Sequence, residues 1–264
     1  MTPDVLSSAQ NSIIKQVKKL GQSKSERYKH ALFLLEHVAS IKTCLERHPE
    51  KISFLCIQES AIHTIDPNLI SKSTTYIIKD SLFSSISTLK NSAGILAVCH
   101  IPSYSEEDIN SKIISSLKRV VLCDQLSNPS NFGAIVRNAI AFHIDAILYT
   151  KDSVDPFHPD SVRAMAGNFF QKPILCCDQT LFKTLIDRSF TCYNLTPHCD
   201  TLLDDISVDE HALFIFGSEA HGINSPFLLD YQANIQSLKI PTDDQVESLN
   251  VAVSSGILFY SLSS

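Results

Sequence analysis

Two hydrophobic patterns alternate along the chain. Short apolar runs recur, and between them lie stretches whose apolar positions fall three and four residues apart. Residues 7–20 put Ile13, Ile14, Val17 and Leu20 on one helical face. ALFLLEHVASIKTCLER (31–47) reads as a strand entering a helix, and ISFLCI (52–57) and TYIIK (75–79) as short buried strands. SLFSSISTLK (81–90) reads as a helix and GILAVCHI (94–101) as a further strand. Strands alternating with helices predict a small α/β domain over residues 1–101. PSYSEEDINSK (102–112) is polar, carries Pro102 and lacks an apolar period, so residues 102–114 are expected to form a linker. Over residues 115–264 the alternation resumes. Strands are predicted at 119–126, 145–150, 172–177, 191–195, 212–217 and 233–240. Helices are predicted at 133–143, 158–168, 179–188, 225–231 and 248–262. The expected fold class is α/β, with a mainly parallel sheet flanked by helices in this second part.

In such a sheet, ligands bind outside the carboxyl ends of the strands. That rule selects three loops, NPSNFG, GSEAHG and IPTDDQVESLN. Only seven glycines occur in the chain, and Gly133, Gly217 and Gly222 fall in the first two loops. A scarce glycine at a strand end marks a tight turn or a close backbone approach. Asn131 suits a helix cap and a ligand contact equally well. Arg137, among Ala134, Ile135, Val136 and Ala139, is either a snorkelling edge residue or a guanidinium aimed at a phosphate. Glu219 fits a cap or a solvated side chain, and His221 an incidental loop residue. Ser248 reads as the N-cap of the last helix, with Asn250 inside its first turn. That helix is apolar on most sides (Val251, Val253, Ile257, Leu258, Phe259, Tyr260), which predicts a deep core position or a subunit interface.

Composition narrows the class further. Hydrophobic residues make up 44% and charged residues 19%, which is enough for a sizeable core. No apolar run is long enough to cross a bilayer, and MTPDVLSSAQNSIIKQVKKL lacks the order of a secretory signal, so a cytoplasmic protein with no membrane partner is expected. Seven of the eight cysteines sit in or beside apolar stretches, as free thiols do. No CxxC occurs, and Cys192, His198 and Cys199 match no standard ligand spacing, so no metal is expected. Net charge is -6, but residues 1–30 hold Lys15, Lys18, Lys19, Lys24, Arg27 and Lys29 against Asp4 and Glu26. Residues 200–250 hold ten Asp/Glu against Lys239 alone. A local basic patch is enough to meet phosphate, and a solvated helix face explains the same lysines. GxGxxG, Walker-type and GxSxG motifs are absent, which excludes the usual nucleotide-binding and hydrolase readings.

Taken in order, NPSNFGAIVRNA (128–139), FIFGSEAHGI (214–223) and IPTDDQVESLNVAVSSGILFY (240–260) resemble the three motifs of the SpoU (TrmH-like) branch of the SPOUT RNA methyltransferases. The resemblance covers about residues 118–262. The N-terminal half, through its opening helix and GILAV strand, resembles the L30e-like substrate-binding domain often fused in that family. The resemblance implies a deep trefoil knot at the C-terminus, a homodimer, and S-adenosylmethionine as methyl donor. The implied reaction is 2'-O-methylation of a ribose in structured RNA, ribosomal rather than transfer RNA. The alternatives are a tRNA 2'-O-methyltransferase and a non-catalytic RNA-binding relative that kept the scaffold. By the same resemblance Asn131, Arg137, Glu219, Ser248 and Asn250 match the catalytic and substrate-orienting positions. Gly217, Gly222, Ile240 and Leu249 match those that wrap the donor. Ala220 stands where the family usually has glycine, and Thr242 and Asp244 where it has Met and Gly, which implies weaker donor binding. His37 replaces the glycine that usually follows the glutamate of the N-terminal strand, which puts the fold there in question.

Overall fold

A computed structural model describes residues 5–243 and 245–262; Asp244 lies outside the described residues. The chain forms two compact units, one of residues up to Pro102 with Phe157–Phe170, the other of Ser103–Pro156 with the residues from Gln171 on.

The first unit holds a five-stranded sheet of β1 (Val5–Leu6), β2 (Leu32–Leu35), β3 (Ile52–Gln58), β4 (Thr75–Ile78) and β5 (Ile95–His100), ordered β1-β4-β3-β5-β2. β4 pairs in parallel with β1 and β3, whereas β5 runs antiparallel to β2 and β3. The predicted opening helix spans Ser12–Gln22 and buries Ile14, Val17 and Leu20. It starts later than its apolar period suggested because Asn11 caps it, accepting a bond from the Ile13 amide. A second helix, Lys24–His30, was not legible from periodicity, since it buries only Arg27. The Arg27 Nη1 donates to the Leu20 carbonyl at 2.6 Å, tying the two helices together.

His37 is the extended N-cap of the helix Val38–Arg47, with φ of -80°. That backbone suits any residue, so histidine in place of glycine strains nothing there. Phe157, Phe169 and Phe170 close on Phe33 with ring centroids 5.1, 5.3 and 6.1 Å away, which draws that later segment into this unit. The helix predicted at 158–168 spans Pro159–Met165 and stops where Ala166 turns left-handed.

The second unit holds β6 (Arg119–Cys123), β7 (Ala146–Thr150), β8 (Ile174–Cys177), β9 (Thr191–Leu195), β10 (Ala212–Phe216) and β11 (Ile235–Leu238), ordered β11-β9-β10-β6-β7-β8. Every pairing in this sheet is parallel. Its central strands β6, β7 and β10 are buried on both faces and accordingly read as nearly unbroken apolar runs. The segment 102–114 is not extended linker throughout. Asp108–Ile113 forms a π-helical turn that runs into Ile114–Ser116, and Ile109, Ile113 and Ile114 pack on the second core.

Two helices that flank the site begin elsewhere than predicted. The helix Pro129–Ala141 starts four residues early, because Asn128 caps it by accepting bonds from the Ser130 and Asn131 amides, with Pro129 at its first position. Asn131 is therefore not the cap, and its side chain is available for other work. The last helix spans Val251–Ser261, and its N-cap is Asn250, not Ser248. The Asn250 Oδ1 accepts from the Ala252 and Val253 amides at 3.0 and 3.3 Å. The Asn138 Nδ2 joins the two helices, donating to the Ala252 carbonyl at 2.8 Å and to the Ser255 hydroxyl at 2.9 Å.

Candidate active site

A cleft of about 830 Å³ opens at the carboxyl ends of β9, β10 and β11. Its walls are residues 194–198 at and after the end of β9, 216–223 at and after the end of β10, Ser237, Leu238, Ile240 and Thr242 at and after the end of β11, and 247–251 with Ser254 leading into the last helix. This is where a parallel sheet is expected to hold its ligand.

The loop after β10 is closed on itself. The Ser218 amide donates to the Gly222 carbonyl and the Gly222 amide to the Ser218 carbonyl, both at 2.8 Å. Gly222 has φ of +67°, the left-handed region that glycine enters without cost. Gly217 meets this bridge so closely that an added Cβ would lie 2.2 Å from the Gly222 carbonyl carbon. The two glycines thus do different jobs, one turning the chain and one making room for it.

A chain of hydrogen bonds crosses between the three loops. The Asn131 Nδ2 donates to Glu219 Oε1 at 2.7 Å, and the Asn250 Nδ2 donates to Asn131 Oδ1 at 3.1 Å. Because the Asn250 Oδ1 is already held by the helix amides, its Nδ2 must face Asn131. The Asn131 amide is thereby fixed in one orientation, with its nitrogen toward the carboxylate.

A second link escaped the sequence reading. Asp124, fully buried at the end of β6, accepts bonds at Oδ2 from the Asn224 and Ser225 amides at 2.7 and 3.1 Å. Its Oδ1 accepts from the Ser225 hydroxyl. The Asn224 Nδ2 also donates to Gln125 Oε1 at 2.9 Å. The loop after β10 is therefore anchored to the strand that precedes Asn131. The signal was present as a lone aspartate ending the apolar run RVVLC, which burial without partners would make very costly.

Of the predicted residues, Gly217, Glu219, Gly222, Ile240, Ser248, Leu249 and Asn250 line the cleft, and Asn131 joins it through Glu219 and Asn250. Arg137 does not line it. It is exposed on the helix Pro129–Ala141 and has no hydrogen-bond or ion-pair partner among the described residues. His198, His221 and Thr242 also face the cleft, and Asp243 accepts from the Gln245 amide within its own turn. Among the described residues no group of three or more His, Cys, Asp or Glu could hold a metal. Cys192 is buried in β9, and burial pushes its thiol up to about 12, so it stays protonated at neutral pH.

The sequence profile described as the SpoU rRNA Methylase family matches residues 118–260, more than half of the chain and all three site loops. The chain belongs to the SpoU rRNA Methylase family. This SpoU-family chain is 27% identical to the 23S rRNA (guanosine(2553)-2'-O)-methyltransferase RlmP of Bacillus subtilis, over 97% of its own length and 98% of the relative's. It is 26% identical to the 23S rRNA (guanosine-2'-O-)-methyltransferase RlmB of Coxiella burnetii, over 84% and 92% of the two chains. Among solved structures, the SpoU methyltransferase AviRb of Streptomyces viridochromogenes in complex with AdoMet superposes with a TM-score of 0.80 at 19% identity, covering 95% of this chain and 96% of that one. The α/β fold with its parallel sheet is thus shared with SpoU methyltransferases.

Proposed function

We propose that this SpoU-family chain transfers a methyl group from S-adenosylmethionine to the 2'-hydroxyl of a ribose in structured RNA, in ribosomal RNA rather than transfer RNA. The observation that carries this reading is the convergence of three sequence-distant loops on one cleft, cross-bonded through Glu219, Asn131 and Asn250. Support comes also from the 2'-O-methyltransferase activities named for the relatives in Bacillus and Coxiella.

The cleft fits the donor on its own chemistry. A purine nucleoside needs apolar walls and backbone polar groups at its edges, and Ile240, Leu249 and the loop 217–222 supply both. A cationic donor suits a cleft that, among the described residues, presents the Glu219 and Glu247 carboxylates and no lysine or arginine. When bound, the donor supplies an electrophilic methyl group. What the chain must do is hold the ribose oxygen in line behind that methyl and exclude other orientations. The fixed Asn131 amide and the carboxylate of Glu219 are the groups placed to orient a hydroxyl, and Ser248, exposed at the rim, offers a further contact. Arg137 holds the target phosphate with its planar fork of donors and so assists loss of the 2'-hydroxyl proton. The proton itself goes to a substrate phosphate oxygen, because a guanidinium offers only donors and does not act as the base.

The reading includes a deep trefoil knot at the C-terminal end. It is supported by the sheet order, in which β10 lies between β9 and β6, and by the likeness to SpoU structures. It includes an L30e-like RNA-binding domain over residues 1–101, supported by the five-stranded mixed sheet and the lysines of Ser12–Gln22, with 102–114 leading to the methyltransferase domain 115–264. Action on RNA in the cytoplasm completes it. Among the described residues no helix is long and apolar enough to cross a membrane.

A homodimer belongs to the same reading. Val253, Ile257 and Tyr260 are 52%, 39% and 64% exposed at helical spacing on the last helix, and the Tyr260 ring meets Phe142 at 6.1 Å. Such a stripe is what a second copy would cover. Ile257→Asp with Tyr260→Asp is expected to turn a dimer into a monomer in light scattering. A wild-type chain that runs only as monomer would refute the dimer.

The test of the activity is transfer of labelled methyl from S-adenosylmethionine to ribosomal and transfer RNA separated by size. Label at ribose 2'-oxygens of ribosomal RNA is expected. Label only in transfer RNA would reverse the substrate choice, and label in neither would favour a non-catalytic relative.

A further inference from the structure

We infer that Asn138, seated against Gly256 of the last helix, is a positioning residue: it sets the register of two helices and so holds Asn131 on Asn250. Its consequence for catalysis rests on the methyltransferase reading, in which the Asn131 amide orients the ribose hydroxyl.

Asn131 and Asn138 lie seven residues apart on the helix Pro129–Ala141. Two helical turns bring them onto one stripe, about 10 Å apart along the axis. Both amides on that stripe meet the start of the last helix. At one end the Asn250 Nδ2 donates to Asn131 Oδ1 at 3.1 Å. At the other the Asn138 Nδ2 donates to the Ala252 carbonyl at 2.8 Å and to the Ser255 hydroxyl oxygen at 2.9 Å. Ser255 is fully buried, and its own hydroxyl donates to the same Ala252 carbonyl at 2.8 Å. The three groups therefore close a ring. A carbonyl only accepts, so the nitrogen of the Asn138 amide must face it. Arg137, one residue earlier, is turned about 100° away on the helix and stands exposed. Apart from Ser255, the buried residues of the two helices are apolar or glycine. Apolar burial is non-directional and tolerates sliding. Two directional links on one stripe do not.

Gly256 makes the seat. A Cβ there would lie 3.3 Å from the Asn138 Nδ2 and 3.8 Å from its Cγ. The first distance is tighter than ordinary contact, so an alanine would displace the amide by a few tenths of an ångström. Glycine inside a helix is less stable than alanine, and the last helix accepts that cost at the turn where Asn138 enters. Alanine at this position should thus improve the helix and disturb the site.

The test is single-turnover methyl transfer to ribosomal RNA by the full chain, beside donor calorimetry and thermal melting. Asn138→Asp keeps the shape of the side chain but sets an oxygen against the Ala252 carbonyl. It is expected to slow transfer by about 10- to 100-fold, the scale of a misplacement of about 1 Å. Donor affinity should stay within about threefold of wild type, because Asn138 does not line the cleft. Gly256→Ala should slow transfer by about threefold or more, while the thermal midpoint stays at or above the wild-type value. In the Asn131→Ala variant, adding Asn138→Asp should cost nothing further, since the group it acts through is gone. Wild-type rates in both single variants, rates that fall only in step with the thermal midpoint, or full additivity with Asn131→Ala would overturn the role. If the wild-type chain transfers no methyl, the methyltransferase reading fails, and NMR of isotope-labelled protein decides the positioning by itself. An Asn131 side-chain amide signal moved by Asn138→Asp would sustain the link, and an unmoved signal would overturn it.

Discussion

Arg137→Ala is expected to slow methyl transfer by about 10²–10⁴-fold, the usual scale for losing a group that assists proton transfer. Donor affinity should stay within about threefold of wild type, because Arg137 does not line the cleft proposed for the donor. The helix should tolerate the change. The side chain is exposed and unpaired among the described residues, and alanine is the better helix former. Arg137→Lys restores the charge but not the planar fork, so it should recover only part of the rate. Single-turnover transfer beside donor calorimetry decides the matter. Full transfer by the alanine variant would remove Arg137 from the chemistry, and a parallel loss of donor affinity would place it in the donor site instead.

Gly217→Ala should strike the donor site itself. The new methyl would lie 2.2 Å from the Gly222 carbonyl carbon, and relief requires breaking the two 2.8 Å bonds between Ser218 and Gly222. Overpacking of this kind costs about 1–3 kcal/mol, which is about 5- to 150-fold in affinity if the loop opens. Gly222→Ala is the informative comparison. Nothing lies within 4 Å of a Cβ there, so its cost is the left-handed backbone alone, about 1–2 kcal/mol. Calorimetry should therefore rank donor affinity as wild type, then Gly222→Ala, then Gly217→Ala, with thermal melting as the check on folding. The opposite ranking would mean that the loop bridge is softer than its geometry implies.

The parallel sheet was legible because its central strands β6, β7 and β10 are short apolar runs, separated by stretches of helical period. The site loops were legible because strand ends, scarce glycines and three motifs coincide. Helix starts were less so. Asn128, Asn131 and Ser248, Asn250 offer the same capping chemistry within a few residues, and periodicity does not say which member will be used. Resolving that choice changed the site, since Asn131 freed from capping becomes the bridge between Glu219 and Asn250. The helix Lys24–His30 and the helical turns at 108–116 were hidden by polar sequence. Asp124 was hidden because its partners lie about a hundred residues away, at Asn224 and Ser225. The capture of Phe157–Phe170 by the first unit has a similar cause, as ring packing on Phe33 leaves no trace in local pattern.

β10 pairs with β6 on one side and β9 on the other, although it is the last strand but one along the chain among the described residues. During synthesis β6 (Arg119–Cys123) therefore emerges well before the strand that joins it to β9. Until residues 212–216 arrive, β6 presents a bare, largely apolar edge. Parallel pairings across such sequence separations form slowly, and open edges on a slow folder invite association between nascent chains. The strand order that assembles the cleft thus leaves one edge of β6 open until late in synthesis.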